Sequence, residues 1–202
     1  MRLRVHPSVN HLRAMLGSTE KRTGKTLDEW ANVVRALEEP DVNTAAAKLK
    51  ADHGLGKPTA WMLASHALKA NMEDYDEAAY LAKAPQLVDA QFGEKRAHLR
   101  PLAEDIIGFA ETLGEEVAAS PCKTYIPLYR QRVFAQVKAA TQKRLDVGLA
   151  LGSYSGDGLE TLKDTGGAKK GDRITHVIGL SPEDGATDTV KHWLQIAYEL
   201  DE

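Results

Sequence analysis

The chain has 202 residues, 43% hydrophobic and 27% charged, with a formal net charge of −3. That length holds one mid-sized domain or two small ones, and the slightly acidic total excludes a protein coated throughout in basic charge. No run approaches the ~20 apolar residues of a membrane span, residues 1–7 lack the apolar stretch of a signal peptide, and the single Cys122 has no partner for an internal disulfide, so a soluble, cytoplasmic protein without membrane partners is expected.

From the N-terminus, the first clear signal is a capping box. Thr26 can accept from a free backbone N–H while Glu29 reaches back to it. Leu27, Trp30, Val33, Val34 and Leu37 follow at helical spacing, and Pro40 stops the run. A second helix starts near Asn43 or Thr44, presents Ala46, Leu49 and His53, and ends at Gly54. Pro58 opens a third, with Trp61, Ala64 and Leu68 on its apolar face. The spacing predicts a three-helix bundle over residues 18–70. Residues 71–84 are acidic and read as a helical linker ending at Pro85. Leu87, Val88 and Phe92 begin another helix. Arg100 and Pro101 restart the pattern with Leu102, Ile106, Phe109 and Leu113.

Beyond Gly114 the apolar period falls from 3.6 to 2. Residues 122–130, 132–139, 144–151 and 173–180 are the candidate strands. Short connections make the first three antiparallel neighbours. Pro127 lacks a donor, which predicts that the first strand is an edge or bulged there. Residues 152–172 hold six glycines and read as a long loop. A last helix over about 187–199 buries Val190, Ala197 and either Leu194 or Trp193. The predicted C-terminal domain, 85–202, is α+β: an antiparallel sheet of about four strands packed with helices.

Charge is blocked along this plan. Residues 1–70 carry 11 Lys/Arg against 7 Asp/Glu, residues 71–120 carry 4 against 11, residues 121–151 carry 6 against 1, and the remainder 5 against 10. The basic island at 121–151 falls on the predicted strands. Alternation places Tyr125, Pro127 and Tyr129 on one face of the first strand, and Phe134, Gln136 and Lys138 on one face of the second. Tyr125, Tyr129 and Lys138 together would make a stacking platform with a phosphate contact. Lys123, Arg132, Lys143 and Arg144 would add backbone contacts. The competing reading is a scaffold whose aromatics fill the core and whose cations are solvated edge charges. Asp146 is the only acid in the island, and either pairs with Arg132 or Lys138 or stands exposed.

In the helical region, the second and third helices joined through Gly54 and Gly56 have the outline of a helix-turn-helix. Lys57, Thr59 and Lys69 are then candidate contacts. A plain bundle with Trp61 in its core is the alternative. Seven histidines include no pair at metal spacing on one helix, and the stretch 166–171 departs from the phosphate-loop pattern, so no metal and no cofactor are predicted.

Several stretches carry a resemblance to a pair of uncharacterised bacterial domains found together. Residues 21–30 (KRTGKTLDEW), 49–56 (LKADHGLG) and 64–68 (ASHAL) resemble a helical domain of unknown function, DUF4287-like. Residues 87–92 (LVDAQF), 99–102 (LRPL), 123–130 (KTYIPLYR), 134–137 (FAQV), 144–149 (RLDVGL) and 193–199 (WLQIAYE) resemble an α+β domain of unknown function, DUF5655-like. The second is distantly similar to the MmcQ/YjbR-like group, for which the resemblance implies DNA binding as a possibility of fold alone. Relatives more often carry a basic residue and no proline around Pro127 to Tyr129, which implies a weaker shared contact here.

The functional expectation is a non-enzymatic binding protein that contacts nucleic acid or a ribonucleoprotein through the basic and aromatic sheet patch. The alternatives are a protein-interaction adaptor using the helical domain, and an enzyme with a site near Tyr125, Asp146 and His176.

Overall fold

The computed structural model describes residues 1–202. Its contacts divide the chain into two units, Val5–Lys83 and Met1–Arg4 with Ala84–Glu202.

The first unit is helical: α1 (Pro7–Gly17), α2 (Thr19–Thr23), α3 (Leu27–Ala36), α4 (Val42–His53) and α5 (Lys57–Ala67). The three expected helices are α3, α4 and α5; α1 and α2 are additional. α1 buries only Val9 and Leu16, too narrow a stripe to read as an amphipathic period. The capping box of α3 is present: Glu29 N donates to Thr26 Oγ1 at 3.2 Å, and Thr26 N donates to Glu29 Oε2 at 2.7 Å. α4 begins at Val42, ahead of the expected start, because Asp41 caps it and accepts from Thr44 N at 2.9 Å. Gly54 closes it at φ 65°, a left-handed conformation that favours glycine. Trp30, Val34, Leu49, Met62 and Leu63 form the core, and burial of each large side chain contributes about 1.5–3 kcal/mol.

α6 (Glu77–Gln91) contributes residues to both units. It runs through Pro85, where the sequence predicted a stop. The ring removes one backbone bond, to the carbonyl of Leu81. Leu81 is itself exposed, so water can satisfy that carbonyl.

The second unit adds α7 (Arg100–Thr112), β1 (Ala118–Ala119), β2 (Ile126–Tyr129), β3 (Val133–Ala139), β4 (Leu145–Leu149), β5 (Lys163–Asp164), β6 (His176–Leu180) and α8 (Asp188–Glu199). The sheet has six strands in the order β1-β2-β3-β4-β6-β5, all antiparallel. Four were expected; the two extra strands are two residues long and show no alternation. β5 lies inside the glycine-rich stretch that read as a loop, which also holds short 3-10 turns at Leu159–Thr161 and Ala168–Lys170.

β2 is not the edge, because β1 covers it. Ser120 N donates to the carbonyl of Pro127 at 3.0 Å. The missing donor of Pro127 faces the same side, away from β3, so the β2–β3 ladder loses nothing. A register shift follows between Leu128 and Tyr129. The extra residue on β3 breaks its alternation and turns Phe134 into the core, where its ring meets Tyr198 of α8 edge-on at 5.8 Å. The expected grouping of Phe134 with Gln136 and Lys138 is thereby corrected.

One sheet face, with Ile126, Leu128, Ala135, Val137, Val147 and Leu149, packs beneath α7 and α8. The other carries the row Pro127, Gln136, Gly148 and Val177, and beside it the row Lys138, Asp146 and Gly179.

Candidate functional site

A groove of about 370 Å³ lies on that second face, lined by Thr124, Tyr125, Pro127, Tyr129, Val133, Gln136, Lys138, Asp172 and Ile174. Its residues come from three places. The approach to β2 and β2 itself supply Tyr125, Pro127 and Tyr129, which alternate onto one face. β3 supplies Val133, Gln136 and Lys138. The turn before β6 supplies Asp172 and Ile174. Gly148 makes the close approach possible: a Cβ there would lie 2.7 Å from Ile174 Cγ2 and 2.8 Å from Gln136 Cγ.

Tyr125 is presented by a buried amide. Gln91, 3% exposed, donates from Nε2 to the carbonyls of Cys122 at 2.7 Å and Tyr125 at 3.3 Å. The Tyr125 ring is half-buried. Burial, then the neighbouring Cys122 thiol and the Asp172 carboxylate, push its hydroxyl above the ordinary tyrosine value. Tyr129 is only 8% exposed. Burial, followed by Cys122 and Tyr125, pushes it up to about 12, against the opposing pull of Arg4. The Arg4 guanidinium lies 4.9 Å from the Tyr129 ring centroid and donates to the Arg130 carbonyl at 3.1 Å. Residues 2–4 reach this place by pairing with Ala119: Arg4 N donates to its carbonyl and Ala119 N donates to that of Arg2.

Both phenols therefore stay protonated donors at neutral pH. Burial also pushes the Cys122 thiol up, against a hydrogen bond with Tyr125, so it is protonated rather than nucleophilic. Lys138 is exposed and supplies an ammonium. Gln136 supplies an amide and Asp172 the one carboxylate of the lining. The set is rich in donors and has an aromatic wall, which suits a planar group carrying negative charge.

The structure groups the residues singled out in the sequence unevenly. Tyr125, Tyr129 and Lys138 share the groove. Lys123 and Lys143 are exposed but do not line it. Arg144 lies over Gly179 at the end of the neighbouring row and is bound to Asp146 at 2.7 Å. Asp146 was expected to pair with Arg132 or Lys138 or to stand free. Arg144 reaches it because the two alternate onto the same face of one strand. Arg132 lines a different depression, beside Arg173. His176 alternates with Val177 away from the groove face and contacts Thr175 Oγ1 through Nδ1 at 2.9 Å, so Tyr125, Asp146 and His176 do not converge. No group of three His, Cys, Asp or Glu side chains is placed to hold a metal ion.

In the helical unit, Thr59 is 7% exposed and accepts from Arg22 Nη2 at 2.9 Å. Lys57 opens α5 and Lys69 lies just past its end, roughly 18 Å away at 1.5 Å per residue. Thr59 is withdrawn from solvent, and Lys57 and Lys69 stand at opposite ends of the helix. Gln136 was legible in the sequence from its strand alternation. Gln91, Asp172, Ile174 and Arg4 were missed, because only tertiary pairing brings them to Tyr125 and Tyr129.

Two family models match the chain in succession. Residues 11–69 match the one described as domain of unknown function DUF4287, and residues 88–201 match domain of unknown function DUF5655. No curated protein and no solved structure gives a significant match. No helix is long and apolar enough to cross a membrane.

Proposed function

The chain belongs to the DUF5655 family, whose function is unknown, and we propose from its chemistry that it is a binding module for single-stranded nucleic acid. The groove on the open sheet face takes one nucleotide unit, with a base against Tyr125 and a phosphate at Lys138. The observation that carries this reading is the convergence of Tyr125, Tyr129 and Lys138 on one groove of about 370 Å³, within the usual range for small-molecule and nucleotide sites. Base stacking on an aromatic side chain contributes about 1–3 kcal/mol and tolerates any base. Tyr129, capped by Arg4, acts as a wall of the groove, and Tyr125 is the stacking surface.

The test is anisotropy of a labelled oligothymidylate titrated with protein across a salt series. Affinity should fall linearly in log–log form, by roughly 0.7 per contacted phosphate. Lys138→Glu should weaken binding at least about tenfold, the loss of one charged contact. Binding that ignores ionic strength, or is unchanged by Lys138→Glu, overturns the reading. A short acidic peptide that binds as tightly as the oligonucleotide, with Tyr125→Ala without effect, would favour a protein-interaction adaptor.

A further inference from the structure

Val133 lines one end of the groove. Arg132, the residue before it on the chain, lines a second depression of about 380 Å³ together with Gly152, Ser153, Ala168, Arg173 and Thr175. Asp172 borders both. The Arg132 side chain is exposed and its guanidinium is open to a ligand; its backbone N–H is the group held by Asp201, at 2.8 Å. Arg173 in turn binds Asp201 at 2.7 Å and the Val133 carbonyl at 3.1 Å. That carboxylate is therefore already matched by a cation. Ser153 is exposed on the turn after Leu151, and Lys169 and Lys170 follow Ala168 on the surface. The second depression thus offers a free guanidinium and a hydroxyl beside the Asp172 carboxylate.

We propose that this depression is a second anion pocket, and that the ligand of the groove is a strand of several nucleotides running from Lys138 to Arg132. The proposal rests on the reading of the first groove as a nucleotide site. The two cations stand six residues apart along the chain, at most about 20 Å at roughly 3.3 Å per residue, since the extra residue at Phe134 shortens the span. On the order of six nucleotides cover that span at a stacked rise of about 3.4 Å each, and fewer if the strand is extended. Asp172 sets the chemistry at the junction. Its Oδ1 accepts from Ile174 N at 3.1 Å, and its charge repels a phosphate. The middle of the strand must present a donor there, a base N–H (the ring imide of thymine suffices) or a sugar hydroxyl.

The experiment compares oligothymidylates of two, four and eight nucleotides on the full chain, with Arg132→Gln and Lys138→Gln variants. Arg132→Gln keeps the backbone bond to Asp201, and circular dichroism with a thermal melt checks its fold. The proposal expects wild-type affinity to rise with length. Arg132→Gln should bind the dinucleotide like wild type and the octanucleotide about tenfold more weakly, with a salt slope lower by about 0.7. Lys138→Gln should weaken all three lengths. If Arg132→Gln matches wild type at every length while Lys138→Gln does not, the second pocket is overturned and the single groove stands. An equal loss at all lengths makes Arg132 part of one site and also overturns it. If no oligonucleotide binds wild type, the reading of the first groove fails, and this one with it.

Discussion

Arg144 Nε donates to Asp146 Oδ1 at 2.7 Å, and its Nη2 lies 3.3 Å from Oδ2. Asp146 also sits directly opposite Lys138 across β3 and β4. One carboxylate thus holds one cation of the basic island and lies beside another. The field available to an anion at this end of the sheet is weaker than the six basic residues of 121–151 suggest.

Asp146→Asn should therefore strengthen binding of an oligonucleotide, by roughly three- to tenfold at low salt, and the gain should shrink as salt screens it. Stability should change by no more than about 1 kcal/mol, since both partners are partly exposed. Titrations at two ionic strengths check this. An affinity equal to wild type at low salt would remove Lys138 and Arg144 from the binding surface.

Tyr125→Ala should weaken oligonucleotide binding by about 1–3 kcal/mol, and Tyr125→Phe should retain most of it, because the ring and not the hydroxyl stacks. Calorimetric titration of both variants separates the two contributions. A Phe variant as weak as the Ala variant would assign the contact to the phenol O–H instead.

Tyr129 gives an alkaline signature. Its folded value, about 12, lies above the ordinary 10. The raised value means the fold favours the neutral phenol. That stabilisation is fully present below pH 10 and is lost as pH rises from 10 towards 12, where the unfolded chain ionises and the folded one does not. Denaturant midpoints should fall over that window, and less steeply in Tyr129→Phe. Ultraviolet titration should show a late phenolate step that Tyr129→Phe lacks.

Asp201 is 3% exposed and binds both Arg173 and the Arg132 backbone N–H. Asp201→Ala leaves those donors without a partner, and should cost about 2 kcal/mol of stability. Thermal melts check the size. Because Arg173 also lines the second depression, freeing it from this carboxylate should raise the affinity of long oligonucleotides at low salt and leave dinucleotides unchanged.

The fold was legible wherever a local rule carries it. Thr26 and Glu29 announced α3, Gly54 announced the end of α4, and Val133 to Leu149 showed the period of paired strands. It was illegible where pairing is short or shifted. Ala118–Ala119 and Lys163–Asp164 are strands only because β2 and β6 lie beside them. Phe134 changes face because the partner strand is one residue short at Tyr129. Pro85 passes through α6 although its local preference is to end a helix.

For the site, sequence alone determined the chemical inventory: a basic island, two tyrosines two strand-periods apart, and one acid among the cations. Residue type is a local property and survives folding; period-2 alternation does so except where the bulge at Phe134 interrupts it. Tertiary structure decided which of these groups meet. It set Arg4 against Tyr129 from 125 residues away, withdrew Arg144 into a pair with Asp146, buried Thr59, brought Ile174 over Gly148 and set Asp172 in the groove. Those outcomes depend on register, on a bulge and on a loop's return path, which are fixed by packing across the sheet rather than by any neighbour along the chain.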